Sequence, residues 1–470
     1  MSQIDFDALL RLLSFTPGEP MLFNSGLFLV LFLLFSAGYA LLSAQRAKAV
    51  RLLYVTAFSY YFYYKNAGAW CCLLAVITLV NYFCALRLDH TERPAARKAW
   101  LWLAVGFMLG QLAVFKYTDF AIGTWCDLTG EPRPDTPALP VLVGISFFTF
   151  QSMSYIIDVY RRQMPATRSL TDFAFFVSFF PTLLAGPILR ARTFLPQLAK
   201  PLCVTQQMLG TGTWFIIIGL FKKCVISDYI SVNFVSRIFD NPALYSGLEN
   251  LLGIYGYALQ LYCDFSGYSD MAIGIALWMG FEIPANFRAP YKSDSITDFW
   301  RRWHISLSSW LRDYLYISLG GNRKGRLRMY FNLFLTMLLG GLWHGASWNF
   351  VIWGSVHGFA LGVHKRFREL LGHDRHYQSR GIRRFFAVLL TFHLVCFCWL
   401  FFAGTSFEAS MQMIGQICSN FNPQLLPQFL EGYPLVSALM VGGFVLHFLP
   451  TAWNGKAESL AGRTPLPVQA

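Results

Sequence analysis

Long apolar runs alternate with short basic clusters along this chain, a pattern that predicts helices threaded repeatedly through a bilayer. The first run covers 22–43 and is followed by Arg46, Lys48 and Arg51. Runs at 52–64 and 69–86 lead to a second basic loop with Arg87, Arg93, Arg97 and Lys98. A fourth run, 99–116, opens instead on Asp119, Asp127, Glu131 and Asp135. Cytoplasmic loops collect Lys and Arg, so the basic loops read as inside and the acidic one as outside. A fifth run, 139–158, returns to Arg161 and Arg162. Ahead of them all, residues 6–14 have the pattern of a short amphipathic helix on the membrane surface, ended by Pro17 and Pro20.

Several later stretches are apolar but interrupted. The segment 173–192 contains Pro181, Gly186 and Pro187 and has basic residues near both ends, which predicts a broken or re-entrant helix. Runs at 209–227 and 249–282 follow. The second is long enough for two segments, with Asp264, Ser266, Gly267, Tyr268, Ser269 and Asp270 between them. Two acids at membrane depth need protein or water partners, so they either serve a site or cap a broken helix. From Ser293 to Gly321 the chain is too charged to span, yet Trp300, Trp303, His304, Leu307 and Leu311 recur at helical spacing. That suits a helix lying at the interface or dipping into a cleft.

Phe331 to Phe359 carries no formal charge and is long enough to span, since about 20 residues cross a hydrocarbon core of roughly 30 Å. His344 sits in its middle, between Trp343 and Gly345 and one turn after Gly340 and Gly341. An ionisable group there marks a functional site, or else a packed neutral imidazole bonded to a neighbouring carbonyl. On a continuous helix His357 would lie about 220° further round, facing away from His344. Residues 365–384 are basic again, and final apolar runs lie near 385–403 and 434–450. The sum is an all-α polytopic membrane protein of roughly ten to twelve segments, divided into an interfacial segment 1–20, a membrane core 21–403 and a C-terminal loop, helix and tail 404–470.

Composition narrows the class. The 470 residues are 55% hydrophobic, 17% aromatic and only 13% charged, where soluble domains average about 25% charged. The formal charge of +13 follows from basic loops rather than from a nucleic-acid surface. Ten cysteines show no zinc or redox spacing, so no metal is expected. The first twenty residues carry Asp5, Asp7 and Glu19, unlike a signal peptide, so the first span is expected to stay in the mature protein.

Chemistry selects between the histidines His304, His344 and His357. Moving an acyl group from a thioester to a hydroxyl requires a base for the hydroxyl proton and donors for the developing oxyanion. Imidazole suits the first task, and a water-poor site protects the thioester. Arg301, Arg302, Arg323 and Lys324 are candidates for the phosphates of a coenzyme A donor, or simply a basic cytoplasmic loop. No GxSxG elbow, HExxH, P-loop or GxGxxG supports a hydrolase, metalloprotease or nucleotide enzyme. HDRH at 373–376 reads as solvated.

The stretches LPVLVGISFFTFQSMSYIIDVYR, FVSFFPTLLAGPILR, YCDFSGYSDMAIG, NFRAPY, ITDFWRRWHISLSSWLRDYLYISLGGNR and NLFLTMLLGGLWHGASWNFVIWG resemble the membrane-bound O-acyltransferase family. Within it they are similar to the bacterial branch that acetylates exopolysaccharides such as alginate and cellulose. The resemblance implies a transmembrane tunnel lined by re-entrant or broken helices, with acetyl-CoA supplied from the cytoplasm. It places the catalytic base at His344 and an assisting group at His304. Trp300, Arg301, Arg302, Trp303 and Trp343 would shape the donor site, with Asp264, Tyr268, Asp313 and Asn349 holding the lining. It further implies the bacterial inner membrane, an SGNH-type periplasmic acetyltransferase partner and an exopolysaccharide synthase and secretion complex. Two alternatives remain: export of another acyl group, such as D-alanine for cell-wall polymers, and a non-enzymatic transporter.

Overall fold

A computed structural model describes residues 6–44, 48–135, 139–140, 142–372 and 379–464. Arg46, Val141 and the 373–376 stretch lie outside the described residues. Every regular element among the described residues is helical, as the sequence predicts. The chain divides into two compact units, one drawn from Met1–Thr213 and Met271–Pro284, the other from Trp214–Asp270 and Ala285–Arg463.

The first unit contains α1 (Phe6–Leu13), α2 (Gly26–Ala44), α3 (Lys48–Ala67), α4 (Cys71–His90), α5 (Pro94–Leu112), α6 (Thr118–Thr129), α7 (Ile145–Tyr160), α8 (Leu170–Ser178), α9 (Phe180–Leu183), α10 (Ala191–Ala199) and the start of α11 (Gln206–Leu220). The expected N-terminal helix forms, and the end of α3 fastens it. The Lys65 ammonium donates to the carbonyls of Leu12 and Ser14, and the Tyr61 hydroxyl donates to Leu13 at 3.0 Å. Those carbonyls are the ones a helix leaves unpaired at its end.

The predicted break falls at Phe179, whose non-helical backbone (φ −53°, ψ 102°) separates α8 from α9. Phe180 seats among Phe28, Phe32, Phe35, Phe58 and Phe62, with the Phe58 ring centroid 5.0 Å away. Its N–H donates to the Ser59 hydroxyl at 3.3 Å, and Gln151 donates to the carbonyl of Phe176. The interrupted backbone is thus paired inside protein, the condition for irregular chain at membrane depth.

The second unit begins with π-helical turns at Phe221–Ser227 and Ser231–Val235 around α12 (Asp228–Ile230), followed by α13 (Ser236–Asp240). Next come α14 (Gly247–Trp278) as far as Asp270, then α15 (Ile296–Arg302), α16 (Ile305–Trp310), α17 (Arg326–His344), α18 (Trp348–Leu370), α19 (Gly381–Ala403), α20 (Phe407–Ser419), α21 (Leu426–Gly432), α22 (Pro434–Phe448) and α23 (Thr451–Arg463). By length and composition, four helical stretches among the described residues are able to cross a membrane: Gly26–Ser43, Lys48–His90, Pro94–Thr129 and Gly381–Ala403. The pair Pro423–Gly432 and Pro434–Phe448, bent by 104°, has the composition of a broken span or a re-entrant loop. The other apolar runs give helices that are short, like α7, or that carry charges, like α14 and α17, and they depend on protein for burial.

Two expectations are corrected. The 249–282 run is one helix of 32 residues and not two segments; basic partners described below answer its acids, so neither is needed as a cap. The 331–359 run does not cross in one piece. It is a hairpin, in which α17 ends at His344, Gly345 to Ser347 turn, and α18 runs back. Glycine makes the reversal tight. A Cβ on Gly341 would strike the carbonyl of Phe350, and one on Gly354 would sit 2.6 Å from the carbonyl of Met337. At Gly358 it would meet Phe334 Cα at 3.0 Å. Backbone packs directly on backbone, the arrangement small residues permit between membrane helices.

Gly354→Leu should therefore force α17 and α18 apart and cost about 1–3 kcal/mol or more, read as a lower thermal midpoint in detergent. Gly362→Ala, one loop of α18 further on and in ordinary contact with Tyr330 at 3.8 Å, should leave the midpoint unchanged.

Candidate active site

The hairpin puts His344 on the last residue of α17, at the turn. Its half-buried imidazole is bracketed edge-on by Trp343, Trp353 and Phe402, with centroids at 4.9, 5.1 and 5.2 Å. Three aromatic rings thus wall one side of the imidazole, a setting poorer in water than open solvent.

His304 reaches the same place from a second break. The predicted 293–321 helix is two helices, because His304 takes a left-handed backbone (φ 42°, ψ 57°) between α15 and α16. Such a conformation costs a non-glycine residue about 1–3 kcal/mol and needs external restraint. Residues 286–288 supply it. Arg288 N–H donates to the Arg302 carbonyl at 3.0 Å, and Ile305 N–H donates to the Asn286 carbonyl at 2.9 Å. The Asn286 side chain completes the clasp, its Oδ1 taking hydrogen bonds from Ser306 N–H at 3.2 Å and Ser306 Oγ at 2.9 Å and lying 3.2 Å from His304 Nδ1. Its Nδ2 donates to Ser269 Oγ at 3.3 Å.

The His304 ring is fully buried, edge-on to Phe265 at 4.7 Å and 6.2 Å from Trp343. Trp343 thus touches both histidines, and the two imidazoles interact electrostatically. The spacing argument against His357 falls with the continuous helix. His357 is also fully buried, 4.7 Å from Trp353, and its Nδ1 accepts from Trp300 Nε1 at 3.3 Å rather than lying against a carbonyl.

A cavity of about 640 Å³ opens in the same unit, its lining including the apolar Trp300, Leu311, Met337 and Leu361. The same lining carries Arg301, Arg312, Lys365 and Arg368 with Glu369. Of the predicted donor residues, Arg301 and Trp300 line it and Arg302 does not. Arg302 is held by Asp298 at 2.8 Å, a pairing set up by Ser295, which caps α15 by accepting from Asp298 N–H. Asp313 binds Arg312 at 2.7 Å beside the cavity. Trp303 packs in the core against Trp399 at 4.9 Å. Asn349 is a clamp, its amide donating to the Gly404 carbonyl at 3.0 Å. Tyr268 is half-buried on α14, one turn after Asp264.

From the cavity wall at Leu361, His357 and Trp353 follow at successive turns of α18, and Trp353 touches His344. Two turns of helix span about 12 Å. An aromatic column therefore separates the basic cavity from the hairpin tip. Sequence reasoning missed Asn286, Trp353, Lys365 and Arg368. Asn286 was visible only as the first letter of NFRAPY, and the two basic residues looked like any cytoplasmic loop.

The acids of α14 face cations from the π-helical turn. Lys222 meets Asp270 at 2.6 Å, and Lys223 bridges Asp264 at 2.6 Å and Asp228 at 2.8 Å. Among the described residues no group of three or more His, Cys, Asp or Glu is placed to hold a metal.

With this geometry in hand, comparison with known proteins is informative. Residues 158–403 match the membrane-bound O-acyltransferase (MBOAT) family. A probable alginate O-acetylase of Pseudomonas putida is 42% identical over 95% of this chain and 90% of its own length. Its Pseudomonas aeruginosa counterpart is 40% identical over 93% and 81% respectively. A peptidoglycan O-acetyltransferase of Helicobacter pylori is 36% identical over 84% and 79%.

The ion pairs make a separate prediction. Lys222→Met strands the Asp270 carboxylate and should destabilise by about 3–5 kcal/mol, whereas Lys222→Met with Asp270→Leu should recover most of the loss. Thermal unfolding of both variants in detergent measures the difference.

Proposed function

The chain belongs to the membrane-bound O-acyltransferase family, a multi-pass membrane O-acyltransferase, and from that premise we propose that it moves acetyl from cytoplasmic acetyl-CoA towards a secreted polysaccharide of the alginate type. The observation that carries the reading is one arrangement within the second unit: a basic cavity, an aromatic column, and an imidazole at the hairpin turn. Arg301, Lys365 and Arg368 would hold the donor's phosphates, since cations at a cavity mouth bind them through charge-assisted hydrogen bonds. The thioester arm would point from the cavity along Trp300, His357 and Trp353 towards His344, and those packed side chains would have to part to admit it.

There His344 takes the proton of an acceptor hydroxyl as its oxygen attacks the thioester carbonyl carbon. The C–S bond then breaks, the sulfur leaves as thiolate and recovers the proton, and an acetyl ester is formed. His304 assists, held beside the same tryptophan. At the outer face of the bacterial inner membrane the acetyl of that ester would pass to a hydroxyl of an SGNH-type periplasmic partner, whose proton returns to the released alcohol, and the partner, working beside the polymer's synthase and secretion complex, would modify the polymer. The alginate and peptidoglycan relatives support a polysaccharide acceptor, and the names of the Pseudomonas proteins favour alginate over cellulose.

His344→Ala should leave abundance and folding intact while lowering polymer acetylation by about 10²-fold or more. Acetylation persisting at the parent level in that variant would remove the assignment. Lys365→Gln combined with Arg368→Gln should raise KM for acetyl-CoA by about tenfold with kcat little changed, measured by donor titration in nanodiscs.

A further inference from the structure

We infer that Asn286 is a positioning residue that fixes the tautomer of His304, so that Nδ1 carries the proton and Nε2 is the basic nitrogen. The inference rests on the reading of His304 as a partner in acyl transfer, but its geometry stands apart from that reading.

An amide side chain offers one acceptor and one donor, and which end faces a histidine decides the ring's protonation. Here the backbone decides. Ser306 N–H can only donate, and its partner at 3.2 Å is therefore the amide oxygen. The other end agrees, because Nδ2 lies 3.3 Å from Ser269 Oγ, which can accept. The atom 3.2 Å from His304 Nδ1 is thus a carbonyl oxygen with no proton to give. The Ser306 hydroxyl, 3.5 Å from the same nitrogen, spends its proton on that oxygen at 2.9 Å, so Nδ1 donates to the oxygen as well. In a neutral ring one nitrogen donates and the other accepts, which leaves the lone pair on Nε2, on the opposite edge of the imidazole.

The rest of the clasp keeps this arrangement in register. Asn286 holds the chain after His304 three times, through its own carbonyl to Ile305 N–H and through Oδ1 to both donors of Ser306. The strained backbone at His304 and the side-chain contact are products of the same residue. A carboxylate in place of Asn286 would make the same hydrogen bond but would bring a charge into the buried site and strengthen Nε2 as a base. The neutral amide orients without adding charge. That suits a ring that lends a lone pair to a proton during transfer and returns it, acting through His344 or directly on the acceptor.

The test begins with a readout that needs no turnover. In protein labelled with ¹⁵N-histidine and held in lipid nanodiscs, the His304 signals are those lost in His304→Gln. They should show a protonated Nδ1 and an unprotonated Nε2, and Asn286→Leu should shift this pattern towards a mixture. An Nε2-protonated ring, or a pattern unmoved by Asn286→Leu, overturns the inference. Activity supplies the second arm. Asn286→Leu should lower transfer from acetyl-CoA about tenfold, while Asn286→Asp restores it to within a few-fold and moves the pH–rate midpoint upward. Equal loss in both variants with an unmoved midpoint means a purely structural role and overturns the inference. Full activity in His304→Gln would instead sink the catalytic reading of His304 and leave the tautomer result standing.

Discussion

The contact on which the second unit depends is backbone against backbone, where α17 and α18 meet through Gly341, Gly354 and Gly358. Had these positions carried side chains, the helices would separate to the usual 8–10 Å axis spacing and the turn after His344 would have to lengthen. Held close, they reverse within Gly345 to Ser347, so the histidine ends a helix instead of occupying the middle of one. The helix ends there, the catalytic candidate is there, and Trp353 and Phe402 are set against its ring by the same reversal.

A second restraint meets the first. The left-handed turn at His304 is expensive, and three hydrogen bonds that Asn286 accepts from Ile305 and Ser306 offset it. The hairpin is held by dispersion and close packing, which fix distance well and rotation poorly. The clasp is held by directional bonds, which fix the orientation of one ring. A base and its partner need both kinds of control, because proton transfer tolerates little error in either distance or angle.

The sequence made the class of fold plain, since helix-length apolar runs and basic loops are set by the bilayer and not by tertiary detail. It also pointed to His344, because an imidazole within an apolar run has few structural uses, and to His304 through the resemblance carried by the WRRWH stretch. What it concealed was every reversal that depends on glycine. Nothing in the spelling LLGGLWHGASWNF distinguishes a glycine that loosens a continuous span from one that admits another helix's carbonyl, so the run read as one crossing and His357 was placed on the wrong side of it. Asn286 was concealed for a different reason. Its importance lies in which partner each end of its amide finds, 17 to 20 residues away in sequence, at Ser269 and Ser306. Lys222 and Lys223 were illegible in the same way, being parts of an apolar run until the facing helix supplies their acids.

Charge is distributed in a way that fits the proposed chemistry. In the second unit one group of ionic residues lines the cavity and others stand in pairs, while Asn286, Phe265, Trp343, Trp353 and Phe402, each in contact with His304 or His344, are neutral. Thioester, alcohol and imidazole start uncharged and pass through a state in which an imidazolium faces an oxyanion. Two such charges about 4 Å apart attract by roughly 4 kcal/mol at an effective dielectric constant of 20, against about 1 kcal/mol in water. A fixed charge beside either histidine would bind one of the pair before it formed and forfeit that difference. Neutral aromatic walls keep it for the transition state, and the cationic groups that a phosphate-bearing donor requires are kept two turns of helix away.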